Sequence, residues 1–247
     1  MPNERLRDAL VRNGYSPDSV SRAIKVDPKT VERWITKGRT PYPKHRSAIA
    51  ALVRETENYL WPDAVPAERK TEIGNSEIIK VYPRRNDVPN DLWTGLLDHA
   101  QERIDILLYS GTFLTYDSTM IKRLKGKAGL GTRIRILLGD PNCREVTRRS
   151  LDEGIGKTTL AAKVRSALAF YRPLCEVPGI ELRCHSTTLY NSLYRVDDEM
   201  LVNTHVFGLM AAHSPLIHLR RLSGGDLFEI YSESFASVWS GATPPKW

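Results

Sequence analysis

The stretch LYNSLYRVDDEMLVNTH, Leu189 to His205, gathers hydroxyl, amide and imidazole groups in an alternating pattern. A strand sends successive side chains to opposite faces, so Tyr190, Ser192 and Tyr194 share one face. The acidic pair Asp197-Asp198 interrupts the alternation as a hairpin turn does, and a returning strand brings Asn203 or His205 alongside. These groups donate and accept hydrogen bonds and offer an aromatic platform. The expected chemistry is recognition of a small ligand by His185, Tyr190, Ser192, Tyr194, Asp197, Asn203 and His205. The alternative is that the same groups satisfy one another in a polar core.

Other chemistry is excluded by spacing. GIGKTTL resembles a phosphate-cradling loop, but that pattern needs glycine where Leu151 stands, and the preceding CREVTRRSLDE is charged and not a strand. His185, His205, His213 and His218 match no common ligand spacing. Cys143, Cys175 and Cys184 form no paired ligand spacing, and their odd number points to reduced thiols. No metal and no cofactor is therefore expected.

The elements that must position the hairpin alternate. EIIKVYP reads as a strand, LWTGLLDHAQER as a helix, and IDILLYSGTF as a buried strand from Ile104 to Phe113. STMIKRLKGKAGLG is a helix ending in glycine-rich turns, and RIRILLGDP is a second buried strand. GKTTLAAKVRSALAFYR sets Leu160, Val164, Leu168 and Tyr171 on one helical stripe, and IELRCHS opens a third strand. Alternating strands and helices imply an α/β layered domain.

The N-terminal segment reads differently. Ser16 and Asp27 are helix caps, each followed by a proline at the first helical position. Val20, Ala23 and Ile24, then Val31, Trp34 and Ile35, form two short apolar faces joined by a tight turn, a helix-turn-helix. Helices over Asn3–Arg12 and Pro43–Asn58 complete a small all-α domain. The second motif helix leaves Lys29, Thr30, Glu32, Arg33 and Lys37 off its apolar face, where a groove-inserted helix meets base edges. Lys37, Arg39, Lys44 and Arg46 are placed for phosphates.

Charge supports that division. Residues 1–60 hold 12 Lys and Arg against 7 Asp and Glu, while the remaining 187 residues hold 24 against 22, so the basic excess sits on the N-terminal segment. Hydrophobic residues make up 41% of the 247, enough to bury a core. No run of 18 apolar residues and no apolar signal core is present, so membrane insertion and secretion are not expected, and the cytoplasm is.

SVSRAIKVDPKTVERWITKGRTP resembles the Cro/repressor-type (XRE) DNA-binding domains, with Ser21 or Arg22 and Lys25 where typical members carry alanine and glycine. GLGTRIRILLGDP, GIELRCHSTTLYNSLYRVDDEMLVNTHVF and FEIYSESFASVWSGA resemble the phospholipase D-like fold over roughly residues 90–243. The combination looks like actinobacterial regulators that join the two. The resemblance implies an H-x-K-x-x-x-x-D motif on the hairpin. Anchored on Asp197, it places Tyr190 at the nucleophilic histidine and Ser192 at the lysine, and the downstream G-S-x-N on Thr204 to Phe207. Phosphodiester cleavage by two imidazoles and a lysine does not carry over.

The fold class expected is α plus α/β: a helix-turn-helix domain over 1–60, a linker over 61–76, and a phospholipase D-like domain over 77–247. The expected function is a DNA-binding transcription regulator, with double-stranded DNA and a small-molecule effector as partners, acting as a homodimer held mainly by residues 77–247. The rivals are an active phosphodiesterase or nuclease using His185 or His205, and a purely structural dimerisation domain.

Overall fold

The computed structural model describes residues 2–62, 64 and 76–246. The linker expected over 61–76 falls mostly outside them. The chain divides into two compact units, residues 1–77 with 221–229, and residues 78–220 with 230–247.

The first unit is helical: α1 (Glu4–Arg12), α2 (Pro17–Ile24), α3 (Pro28–Thr36), α4 (Pro43–Val53) and the short α5 (Glu57–Leu60). Local chemistry sets the boundaries. Ser16 and Ser19 cap each other at the start of α2, and the Asp27 carboxylate accepts the Lys29 backbone N–H at 2.8 Å to start α3. Between them Lys25 takes a left-handed conformation, φ 56°, where glycine would be least strained. Leu6, Leu10, Val20, Val31, Trp34, Ile35, Ile49 and Leu60 fill one core. The helix expected to run to Asn58 breaks at Arg54, which is also left-handed (φ 55°), and Thr56 then caps α5.

Residues 221–229 join this unit rather than the α/β one expected from sequence. Glu77 is fully buried, and its carboxylate accepts the backbone N–H groups of Leu227 and Phe228 at 2.9 and 3.0 Å. Gly225 makes room for it, since a Cβ there would collide with the carboxylate.

The second unit is a mixed α/β fold around one seven-stranded sheet. Its strands are β1 (Ile78–Tyr82), β2 (Arg103–Leu107), β3 (Arg133–Gly139), β4 (Ile180–His185), β5 (Asn191–Val196), β6 (Glu199–Thr204) and β7 (Leu216–Arg220). Its helices are α6 (Asn90–His99), α7 (Thr112–Thr115), α8 (Met120–Gly129), α9 (Arg144–Asp152), α10 (Thr159–Tyr171) and α11 (Leu227–Gly241), whose first residues belong to the first unit. The strand order is β1-β7-β6-β5-β2-β3-β4. β2, β3 and β4 are parallel, and the other neighbours are antiparallel. Parallel strands are covered on both faces, so IDILL and RIRILLG are buried nearly throughout.

One reading of the sequence changes. The strand expected to reach Phe113 stops at Leu107, because Gly111 turns the chain at φ 60° into α7. As expected, no strand precedes GIGKTTL: CREVTRRSLDE contains helix α9, and Gly154 and Gly156 lie between two helices. β7 pairs with both β1 and β6. Among the described residues no helix is long and apolar enough to cross a membrane.

Candidate functional site

The hairpin forms as its alternation implied, with Ser192 opposite Asn203 and Asn191 opposite Thr204. His205 lies one residue past β6, and its backbone N–H donates to the Tyr190 carbonyl at 2.8 Å. That pairing places its Nε2 3.0 Å from Ser192 Oγ. Its Nδ1 lies 3.1 Å from the Leu189 carbonyl, which can only accept, so Nδ1 carries the proton. Nε2 is then left to accept the Ser192 hydroxyl proton. The hairpin thus builds a serine–histidine pair oriented by a backbone carbonyl.

Ser192, Tyr194 and His205 line a cleft of about 120 Å³ in the α/β unit. Residues not foreseen complete it: Arg85, Tyr109, Gly111, Phe113 and Lys163. Tyr109 stacks on His205 at a centroid separation of 5.7 Å and accepts the Leu189 N–H at 2.9 Å. It was read as one more residue of a buried strand, and the glycine two positions later was the available signal that the strand ends there. Arg85 comes from the turn in YPRRND, and Lys163 from the polar side of α10. Both are half-buried, and among the described residues neither pairs with a carboxylate.

Four of the residues expected in the site lie elsewhere. Tyr190 precedes β5 and is 79% exposed. Asp197 sits in the hairpin turn at φ 50°, where its carboxylate accepts the backbone N–H groups of Gln101, Glu102 and Arg103 at 2.7–2.9 Å. It caps the entry to β2, and these three bonds engage both of its carboxylate oxygens. Asn203 is fully buried and donates to the Ser214 and Pro215 carbonyls, and among the described residues its own amide oxygen has no hydrogen-bond partner. His185 is buried at the end of β4, where Nε2 contacts the Leu108 carbonyl at 3.0 Å and Nδ1 accepts the Thr187 N–H. Period-2 reasoning assigned faces correctly within β5 but could not say which end of the sheet faces the cleft.

Burial first, then the nearby cations Arg149 and Arg85, lower the His205 pKa to about 4 against the opposing effect of the Leu189 carbonyl bond. Arg149 itself is held by Glu153 at 2.8 Å and by the Leu209 carbonyl. His205 is therefore neutral at pH 7, and a poor match for a general base, which works best with a pKa near the operating pH. The sign for stability follows from proton binding. Between about pH 6.5 and 4 the unfolded chain takes up the histidine proton while the folded chain does not, so stability falls as pH drops through this window. Denaturant melts over this range should show a shallower decline for His205→Asn than for the unaltered chain. Parallel curves would contradict the assignment.

In the helical unit, Lys29, Glu32, Arg33, Lys37, Arg39 and Lys44 are exposed and Thr30 is half-buried. Arg46 differs. Its Nε pairs with Glu57 at 3.0 Å and its Nη1 donates to the Pro41 carbonyl, with its side chain only 12% exposed. It ties α4 to α5 and is not available to a phosphate.

A domain of unknown function, DUF5919, matches residues 75–245. No curated protein matches the chain. Among solved structures, TrmBL2, an archaeal chromatin protein with a novel mode of DNA binding, is 15% identical over 72% of this chain, with a TM-score of 0.43. This chain spans 60% of that protein's length. Nuc, a phospholipase D family member from Salmonella typhimurium, is 17% identical over 63% of this chain and 90% of its own, with a TM-score of 0.38. The phosphatidylserine synthase of Haemophilus influenzae Rd KW20 is 14% identical over 84% of this chain and 49% of its own, with a TM-score of 0.44. With the family match extending over more than half of its 247 residues, the chain belongs to the DUF5919 family.

Proposed function

We propose that this protein is a DNA-binding transcription regulator whose α/β unit carries a degenerate phospholipase D-like site, one that binds a small ligand without cleaving it. The observation that carries the ligand half is the content of the cleft. Among the described residues that line it there is one imidazole, His205, beside the cations Arg85 and Lys163 and one carboxylate, Glu153, which is paired with Arg149 at 2.8 Å. Cleavage through a phosphohistidine needs a nucleophilic imidazole and a second one as acid. The other buried imidazole nearby, His185, is committed to the Leu108 carbonyl and does not line the cleft. What is left can hold an anion and hydrogen-bond it.

The DNA half rests on α2 and α3. Two capped helices with a tight turn between them bury Val20, Val31, Trp34 and Ile35 and leave Lys29, Glu32 and Arg33 outward. That is the arrangement in which a second helix enters a major groove, with Lys37, Arg39 and Lys44 available to phosphates. A homodimer is supported by β1, an edge strand that exposes Ile79 and Val81 and, among the described residues, pairs only with β7.

The test is a pair of measurements on the full chain. Fluorescence anisotropy with duplex DNA should give salt-dependent binding, and a chromogenic phosphodiester should show no turnover. Hydrolysis that disappears in His205→Ala would replace this reading with an enzyme. If a ligand released from the purified protein changes DNA affinity, His205→Ala should abolish that response, whereas Tyr190→Ala should leave it intact. The opposite pattern would move the site out of the cleft.

A further inference from the structure

Beside the cleft lies a larger groove of about 530 Å³, within the range of small-molecule sites. It is built by the turn after β1, by α6 and α7, and by the start of α8. Trp93, Tyr116 and Met120 give it an aromatic and apolar lining, and Asn86, Asn90 and Thr94 give it polar groups. Tyr116 is 84% exposed. The Asp117 carboxylate, also in the groove lining, already accepts the N–H and hydroxyl of Thr119.

The groove and the cleft share two residues, Arg85 and Phe113. The Arg85 guanidinium lies 4.0 Å from the Phe113 ring centroid. Phe113, Trp93 and Tyr194 meet edge to face with centroids 4.9–5.6 Å apart. These three rings form a common wall, because Trp93 faces the groove, Tyr194 faces the cleft and Phe113 faces both. The cleft has room for a head group and the groove for a ring system. The Arg85 cation, which has no carboxylate partner among the described residues, stands where they join, and Lys163 stands in the cleft beyond it.

Building on the ligand-binding reading above, we propose that cleft and groove are one bipartite site for an aromatic compound with an anionic head group. The aromatic body packs against Trp93 and Tyr116, and the carboxylate or phosphate ester is held by Arg85 and Lys163. The Tyr194 phenol, which also lines the cleft, completes the head-group contacts. A flat ring suits the groove because edge-to-face and stacked aromatic contacts add to simple area burial. An anion suits the cleft because two half-buried cations without carboxylate partners are stabilised by it.

The experiment is calorimetric titration of the full chain with 1-naphthyl phosphate, 1-naphthoate, inorganic phosphate, acetate and 1-naphthol. One of the two naphthyl anions should bind about tenfold or more tighter than its own head group and than 1-naphthol. Which of the two wins identifies the head group as phosphate or carboxylate. Arg85→Gln should remove the preference for an anion. Trp93→Ala should remove the preference for a ring while leaving head-group binding. Tyr116→Ala, at a position too exposed to disturb folding, should weaken the ring preference in the same direction. Should the naphthyl anions bind no tighter than their fragments, or be indifferent to Arg85→Gln and Tyr116→Ala, the bipartite site is wrong. Inorganic phosphate still bound in a Lys163-dependent way would in that case leave the cleft reading standing. No binding of any probe, with no ligand released from purified protein, would remove both.

Discussion

Asp105→Ala is expected to lower the unfolding free energy of the α/β unit by about 3–5 kcal/mol, the cost of leaving a buried ion without its partner. Asp105 sits in the middle of β2, 1% exposed, and lies opposite Arg135 on β3 and Arg195 on β5. Its two carboxylate oxygens accept from Arg135 Nε and Nη2, both at 2.7 Å. The same guanidinium lies over the rings of Phe235 and Trp239, 4.7 and 5.2 Å from their centroids, so one arginine joins the sheet to α11. Removing the carboxylate strands that cation where water is scarce. Urea denaturation of the variant should show a lower midpoint with an unchanged slope. Asp105→Leu combined with Arg135→Met should recover part of the loss, because apolar residues of similar volume often replace a buried pair without penalty. A single-variant loss below about 1 kcal/mol, the scale of an exposed pair, would show that Asp105 is far more solvated than its surroundings indicate.

Arg33→Ala is expected to cost about 1–3 kcal/mol on the duplex that the unaltered chain selects from a random pool, and much less on unselected DNA. Arg33 projects from the exposed side of α3, while Val31, Trp34 and Ile35 anchor the opposite side. A guanidinium there can meet a guanine edge with two parallel hydrogen bonds, which alanine cannot imitate. Arg39→Ala should behave differently, weakening selected and unselected duplexes alike and flattening the salt dependence, as a phosphate contact does. Arg46→Ala should act mainly on stability, since its guanidinium already holds Glu57 and the Pro41 carbonyl. Equal losses on both kinds of DNA for Arg33→Ala would remove its assignment to base reading.

The sequence by itself determined what short-range chemistry determines. Ser16-Pro17 and Asp27-Pro28 marked two helix starts because capping and proline geometry act within three or four residues. The run of β-branched and leucine residues in RIRILLG marked a strand buried on both faces. The alternation from Tyr190 to His205 marked a hairpin and put Ser192 and Tyr194 on one face. Only the tertiary structure decided which of those polar residues share a cavity. Asp197 and His205 stand at opposite ends of the same hairpin, and one caps the entry to β2 while the other meets Ser192. Asn203 alternates correctly yet is consumed by the carbonyls of Ser214 and Pro215, in a connection that no periodicity describes. Arg85, Tyr109 with Phe113, and Lys163 reach the cleft from three separate segments. A site assembled across a sheet depends on strand order and on where each strand ends. Those are set by long-range packing, and a period of two residues carries no information about them.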